Sequence, residues 1–190
     1  MKLHTSWLDG EANAVPEERE TVADLKVEIG DKNATSHKED GEERECLLVS
    51  VYGLAEGLAR EWWQIMGNRD GEISLQRYRD GYVLPDVRLM FDGERFRIWA
   101  DKLELENPPI HFNFCPEIFL GRAEFEGTVT DFIDKVLNRL QEKKLPSASL
   151  ELCWARVMES LNNPEEVAFC EAAGALRLDP YSISDADREF

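Results

Sequence analysis

The apolar positions change period along the chain, and each period predicts a different kind of element. In "KLHTSWL" and "VADLKVEIG" apolar and polar residues alternate, so Leu25, Val27 and Ile29 share one face of a strand while Lys26 and Glu28 take the other. Residues 31–45, "DKNATSHKEDGEERE", have almost no apolar content and read as an exposed loop or hairpin tip. In "CLLVSVYGLAEGLAREWWQIMG", Leu47, Val51, Leu54, Leu58, Trp62 and Ile65 recur at helical spacing, which predicts the central helix. Gly53 and Gly57 each cost that helix about 1 kcal/mol relative to Ala, so a close approach by a neighbouring element is expected there.

Antiparallel sheet follows. Asp92-Gly93 within "PDVRLMFDGERFRIWADK" signals a two-residue type I′ hairpin. Its register sets Phe91 opposite Glu94, Leu89 opposite Phe96 and Val87 opposite Ile98 on one face. Arg88 opposite Arg97, Met90 opposite Arg95 and Asp86 opposite Trp99 fall on the other. A further short strand is expected near Phe112 to Phe114. From residue 124 the period turns helical. Val129, Phe132, Ile133, Val136, Leu137 and Leu140 form one stripe, with Thr128 and Asp131 related as in a capping box. A second helix turns Leu150, Trp154, Val157 and Leu161 inward. In a third, Asn163 caps, Pro164 takes the first position, and Glu165 and Glu166 complement the positive end of the dipole.

The pattern therefore predicts an α+β fold: a twisted antiparallel sheet packed on a central helix, followed by a small helical C-terminal subdomain. Residues 1–122 are expected to form the sheet domain and residues 123–190 the helical one. After Asp179-Pro180 a further helix would begin, yet few residues remain before Phe190, so the helical part is expected to be cut short there.

Charge and composition narrow the function classes. The formal net charge of −17 argues against nucleic acid, which requires a basic face. It is uneven, with 6 basic against 13 acidic residues in 1–46 but 8 against 8 in 60–102. The middle of the chain is thus enriched in Arg. No apolar run is long enough to span a membrane and the N-terminus lacks a signal-peptide pattern, so a cytoplasmic location is expected. Cys46, Cys115, Cys153 and Cys170 are widely spaced and read as reduced structural thiols.

Catalytic signatures were sought on chemical grounds. His4, His37 and His111 are isolated, and no HExxH, GxSxG elbow, phosphate-binding GxxxxGK[ST] or GxGxxG occurs, so no catalytic residue, cofactor or metal is assigned to this chain. His111 and Cys115 stand four apart, a ligating distance only on a helix, and "PPIHFNFCP" does not read as one. The candidate binding residues are the hairpin arginines Arg88, Arg95 and Arg97, with Arg77 and Arg79 nearby, which could hold an anion or acidic peptide or else pair with the chain's own carboxylates. Trp63 and Trp99 could be partly exposed anchors for a partner, although rings at a sheet and helix junction are more often core.

"LAEGLAREWWQIMG", "RDGYVLPDVRLMFDGERFRIW", "EFEGTVTDFIDKVLNRL" and "EEVAFCEAAGALRLDPYSISDADREF" together resemble the region preceding the protease domain in a group of bacterial ImmA/IrrE family metallo-endopeptidases, over most of residues 47–190. The resemblance implies a longer polypeptide whose zinc and HExxH helix come later, acting in repressor, toxin–antitoxin or phage and stress control. It carries no catalytic residue onto any position here. The role it implies for this chain is protein or peptide recognition, with its own later protease domain as one candidate partner. The alternative is a self-contained acidic interaction protein, such as an antitoxin, immunity protein or inhibitor, whose charge steers it to a basic target through residues 31–45. A helix-turn-helix at the C-terminus is disfavoured because "SISDADREF" is acidic.

Overall fold

The computed structural model describes residues 1–7, 22–33, 35–39, 41–67, 73–74, 87–100, 104–106, 109–112 and 117–176. Among them the fold is α+β, but the expected single sheet is three small antiparallel sheets. The first joins β1 (Lys2–Trp7), β2 (Val22–Ile29), β3 (Lys32–Asn33) and β6 (Leu47–Ser50), with β2 in the middle. The second joins β10 (Glu104–Glu106), β11 (Pro109–Phe112), β4 (His37–Glu39) and β5 (Glu42–Arg44), in that spatial order. The third runs β12 (Ile118–Gly121), β9 (Arg95–Ala100), β8 (Val87–Phe91), β7 (Ile73–Ser74).

Segment 31–45 is more structured than its composition predicts. Buried Thr35 donates through Oγ1 to the Glu45 carbonyl at 2.8 Å and accepts the Val27 N–H at 3.2 Å, so polar side chains do the folding that apolar ones do elsewhere. Beyond it, β4 and β5 form a hairpin around Gly41 in which β5 is exposed and His37 of β4 is buried.

The expected central helix is divided. Leu47 lies in β6, and the helix α1 (Val51–Arg60) begins at Ser50, whose side chain accepts the Gly53 N–H at 3.2 Å. Ser50→Ala should cost about 1 kcal/mol in urea denaturation, because that donor then loses its partner. Past a break at Glu61, α2 (Trp62–Gly67) continues the path, and Val51, Leu54, Leu58, Trp62 and Ile65 are buried as the spacing requires.

Helix α3 (Arg122–Lys143) starts about two turns before the expected cap. Thr128 is an interior residue whose hydroxyl donates to the carbonyls of Glu124 and Met1, at 2.8 and 3.0 Å. It ends where Lys144 turns left-handed, giving its N–H to Gln141 while Leu145 reaches back to Leu140. Helix α4 (Ala148–Leu161) buries Leu150, Trp154 and Val157. Helix α5 (Pro164–Ala175) is capped by Asn163, as its sequence predicts.

The core is one cluster that takes residues from the first and third sheets and from all five helices. Trp62 meets Trp154 edge-on with ring centres 5.8 Å apart, and the Trp154 indole donates to Asp134 at 3.1 Å. Phe96 lies between Phe91 and Phe125, at 4.6 and 3.9 Å, and so ties the third sheet to α3. Helix α5 packs on α2 through glycines. A Cβ on Gly67 would meet the Gly174 carbonyl carbon at 2.7 Å, and one on Gly174 the Trp63 carbonyl carbon at 2.5 Å. At Gly53, where a close approach is expected, an added Cβ would meet the Ser50 hydroxyl at 3.2 Å and, among the described residues, no neighbouring element.

Candidate protein-binding face

Strand β9 alternates between core and surface. Phe96 and Ile98 point inward with Leu89, Phe91 and Leu120, which places Arg95, Arg97 and Trp99 on the opposite face. The hairpin turn is centred one residue later than expected. Asp92 Oδ1 accepts the N–H groups of Glu94 and Arg95, both at 2.9 Å, and Gly93 alone takes a positive φ, of 101°. Asp92 is therefore the residue that closes the turn rather than one of its central pair. Those two N–H groups, Arg95's first, hold the Asp92 carboxyl below its ordinary range.

The register shifts by two as a result. Phe91 faces Phe96, Leu89 faces Ile98, Met90 faces Arg97 and Arg88 faces Trp99. Two residues is a whole period of the pleat, so every side chain keeps its expected face while the cross-ladder arginine repulsion disappears.

On the outer face Met90, Arg97 and Phe119 stand abreast on three strands. The Arg97 guanidinium lies 4.4 Å from the centre of the Trp99 ring, and that of Arg95 lies 4.6 Å from the centre of Phe119. Each cation also has a carboxylate: Arg97 pairs with Glu117, and Arg95 Nε with Asp92 at 3.2 Å. The face thus carries two charge-balanced guanidinium–aromatic stacks, with Phe119 still 47% exposed. Aromatic rings held flat by a cation lose little freedom on contact, and this surface can anchor a partner while its charges stay paired.

Three of the five residues expected at a binding site, Arg95, Arg97 and Trp99, are brought together here. Arg88 joins them only as the register partner of Trp99, and Arg77 and Arg79 lie outside the described residues. Trp63 does not belong. It is 2% exposed, because α5 covers the side of α2 that a lone helix would leave open. The indole Nε1 atoms of Trp62 and Trp63 are buried without a hydrogen-bond partner among the described residues. Phe119, Met90 and Glu117 were missed. The alternation of "EIFLG" around inward Leu120 is the signal that places Phe119 outward.

Other candidate sites are weaker. A cleft of about 470 Å³ lies between β1 and α3, where the Met1 ammonium meets Glu124 and Lys135 meets Asp131 at 2.5 Å, so two of its ion pairs are self-satisfied. Among the described residues no group of three or more His, Cys, Asp or Glu could hold a metal ion, and none of the helices is long and apolar enough to cross a membrane. His111 sits in β11, not on a helix, and Cys115 lies outside the described residues. No protein-family model, curated protein or solved structure matches the chain.

Proposed function

We propose that this chain is a non-catalytic recognition region that binds a protein partner through the outer face of β8, β9 and β12. Its setting is the one its sequence resemblance implies: a cytoplasmic zinc metallo-endopeptidase of the ImmA/IrrE type acting in repressor, toxin–antitoxin or phage and stress control. The observation that carries the binding role is the pair of stacks, Arg95 on Phe119 and Arg97 on Trp99, on an outward sheet face. Aromatic and Arg side chains dominate interface energetics out of proportion to their area.

The test is a comparison of wild-type protein with Trp99→Ala and Phe119→Ala, each cross-linked in the cells that express it and analysed by mass spectrometry. A partner retained by the wild type should fall at least about tenfold with either variant, while the urea midpoint changes little because both rings are partly solvated. Equal recovery with both variants overturns the assignment of the face. The protease setting fails separately, if the coding frame holds no HExxH segment after Phe190 or if the purified chain itself binds zinc and cleaves peptides.

A second reading is an acidic interaction protein, favoured by the net charge of −17 and by Glu42, Glu43 and Glu45, which are exposed on and beside β5. Its association rate would fall steeply with salt, whereas recognition by paired arginines and aromatic rings would not.

A further inference from the structure

Apart from Glu165, Glu166 and Glu171, helix α5 consists of apolar residues and glycine, yet among the described residues only one side of it is covered. Cys170, Ala173 and Gly174 are buried, with Gly174 against Trp63. Helical geometry puts Ala168, Phe169, Ala172, Ala175 and the C-capping Leu176 on the opposite side, and all five are exposed. Phe169 is 61% and Leu176 71% exposed, values unusual for large apolar side chains in a regular helix that already has a packed partner. Phe169 and Leu176, seven residues apart, fall on nearly the same line of the helix, and the three alanines form a flat stripe beside them. Such a stripe suits the ridge of another helix.

Charge identifies the occupant. Between Ala148 and Leu176 the sequence has five carboxylates, Glu151, Glu159, Glu165, Glu166 and Glu171, and a single cation, Arg156. Arg122 neutralises Glu171 at 2.5 Å, while Glu151, Glu159 and Glu165 stand exposed on α4 and α5. A second copy would bring the same acidic surroundings, and another net charge of −17, against this face. Residues 177–190 add four acidic side chains against two basic, so they do not complement it either.

We infer that the outer face of α5 docks a basic amphipathic helix of a protein partner. Apolar residues of that helix at i, i+3 or i+4 and i+7 would pack on the alanine stripe beside Phe169 and Leu176, while its flanking Lys or Arg would meet the carboxylates of α4 and α5. This surface is formed by different residues from the sheet face and stands or falls without it.

The probes are two labelled synthetic helices with the same Leu and Ala stripe, one flanked by Lys and the other by Glu. They are titrated by fluorescence anisotropy against the whole chain and against Phe169→Glu and Leu176→Glu. Both substitutions are at exposed positions, so unchanged melting curves should confirm folding. The Lys-flanked peptide is expected to bind saturably, to bind at least about tenfold more weakly to either variant, and to lose affinity as salt rises. The Glu-flanked peptide should bind at least about tenfold more weakly than its counterpart. The inference is overturned if neither peptide binds, if both bind alike, or if the two variants bind as the wild type does. It is overturned too if sedimentation shows a wild-type dimer that Phe169→Glu dissociates, since the occupant would then be a second copy.

Discussion

Gly174→Ala is expected to destabilise the protein by about 3 kcal/mol, the upper end of what overpacking usually costs. The new methyl would sit against the carbonyl group of Trp63, whose carbon lies 2.5 Å from the ideal Cβ position. A carbonyl of a helix backbone cannot swing aside as a flexible side chain can. Either α5 lifts away from α2 or α2 distorts, and Trp63, buried beneath that contact, is exposed in both cases. Urea denaturation followed by Trp fluorescence would measure the loss, which is a large share of a typical domain's stability. Gly67→Ala should behave alike, since its methyl would strike Gly174 and the Glu171 carbonyl. Because both glycines serve one contact, the double variant should cost less than the sum of the two. A change below about 1 kcal/mol for Gly174→Ala would mean that the helices do not approach this closely.

Phe96→Ala should be comparably damaging, at about 3–5 kcal/mol, for a different reason. Phe96 is fully buried between the rings of Phe91 and Phe125, so its removal leaves a void where the third sheet meets α3. The informative control is Phe119→Ala on neighbouring β12, whose ring stands on the opposite face of the sheet. Chemical denaturation of both variants should separate them by at least about 2 kcal/mol. Similar costs would mean that the outer face is packed against something in the folded protein.

Sequence pattern revealed this fold where one side of an element is buried and the other wet. The stripes of α3 and α4 are of that kind: Val129, Phe132, Ile133, Val136 and Leu140 are buried, and so are Leu150, Trp154 and Val157. Pattern misled where polar groups set the geometry. Asp92 reads as half of a turn dipeptide, but its carboxylate binds the two N–H groups that follow and moves the turn one residue on. Thr35 and Asn33 organise a segment that hydropathy marks as featureless. Burial by a distant helix was equally invisible. Nothing near Trp63 in sequence announces that residues more than a hundred positions away will cover it.

The candidate site was legible for the same reason that its register was not. Face assignment depends only on the parity of the pleat, and a shift of two preserves it, so Arg95, Arg97 and Trp99 were correctly grouped from one strand. Phe119 comes from another strand, and its place beside Arg97 required the third sheet to be assembled.

The first residue of the chain bonds to a helix that begins more than a hundred residues later, through the Met1 ammonium to Glu124 and the Met1 carbonyl to the Thr128 hydroxyl. A ribosome releases the two ends of that contact in the least convenient order. At about 5–20 residues per second, the opening strand waits many seconds for its partner to be made. It can pair with β2 meanwhile, but its other attachments come only after α3 has emerged. Closure of the N-terminal strand onto α3 therefore waits for more than a hundred further residues to be made, and the nascent chain keeps that end open until α3 has emerged.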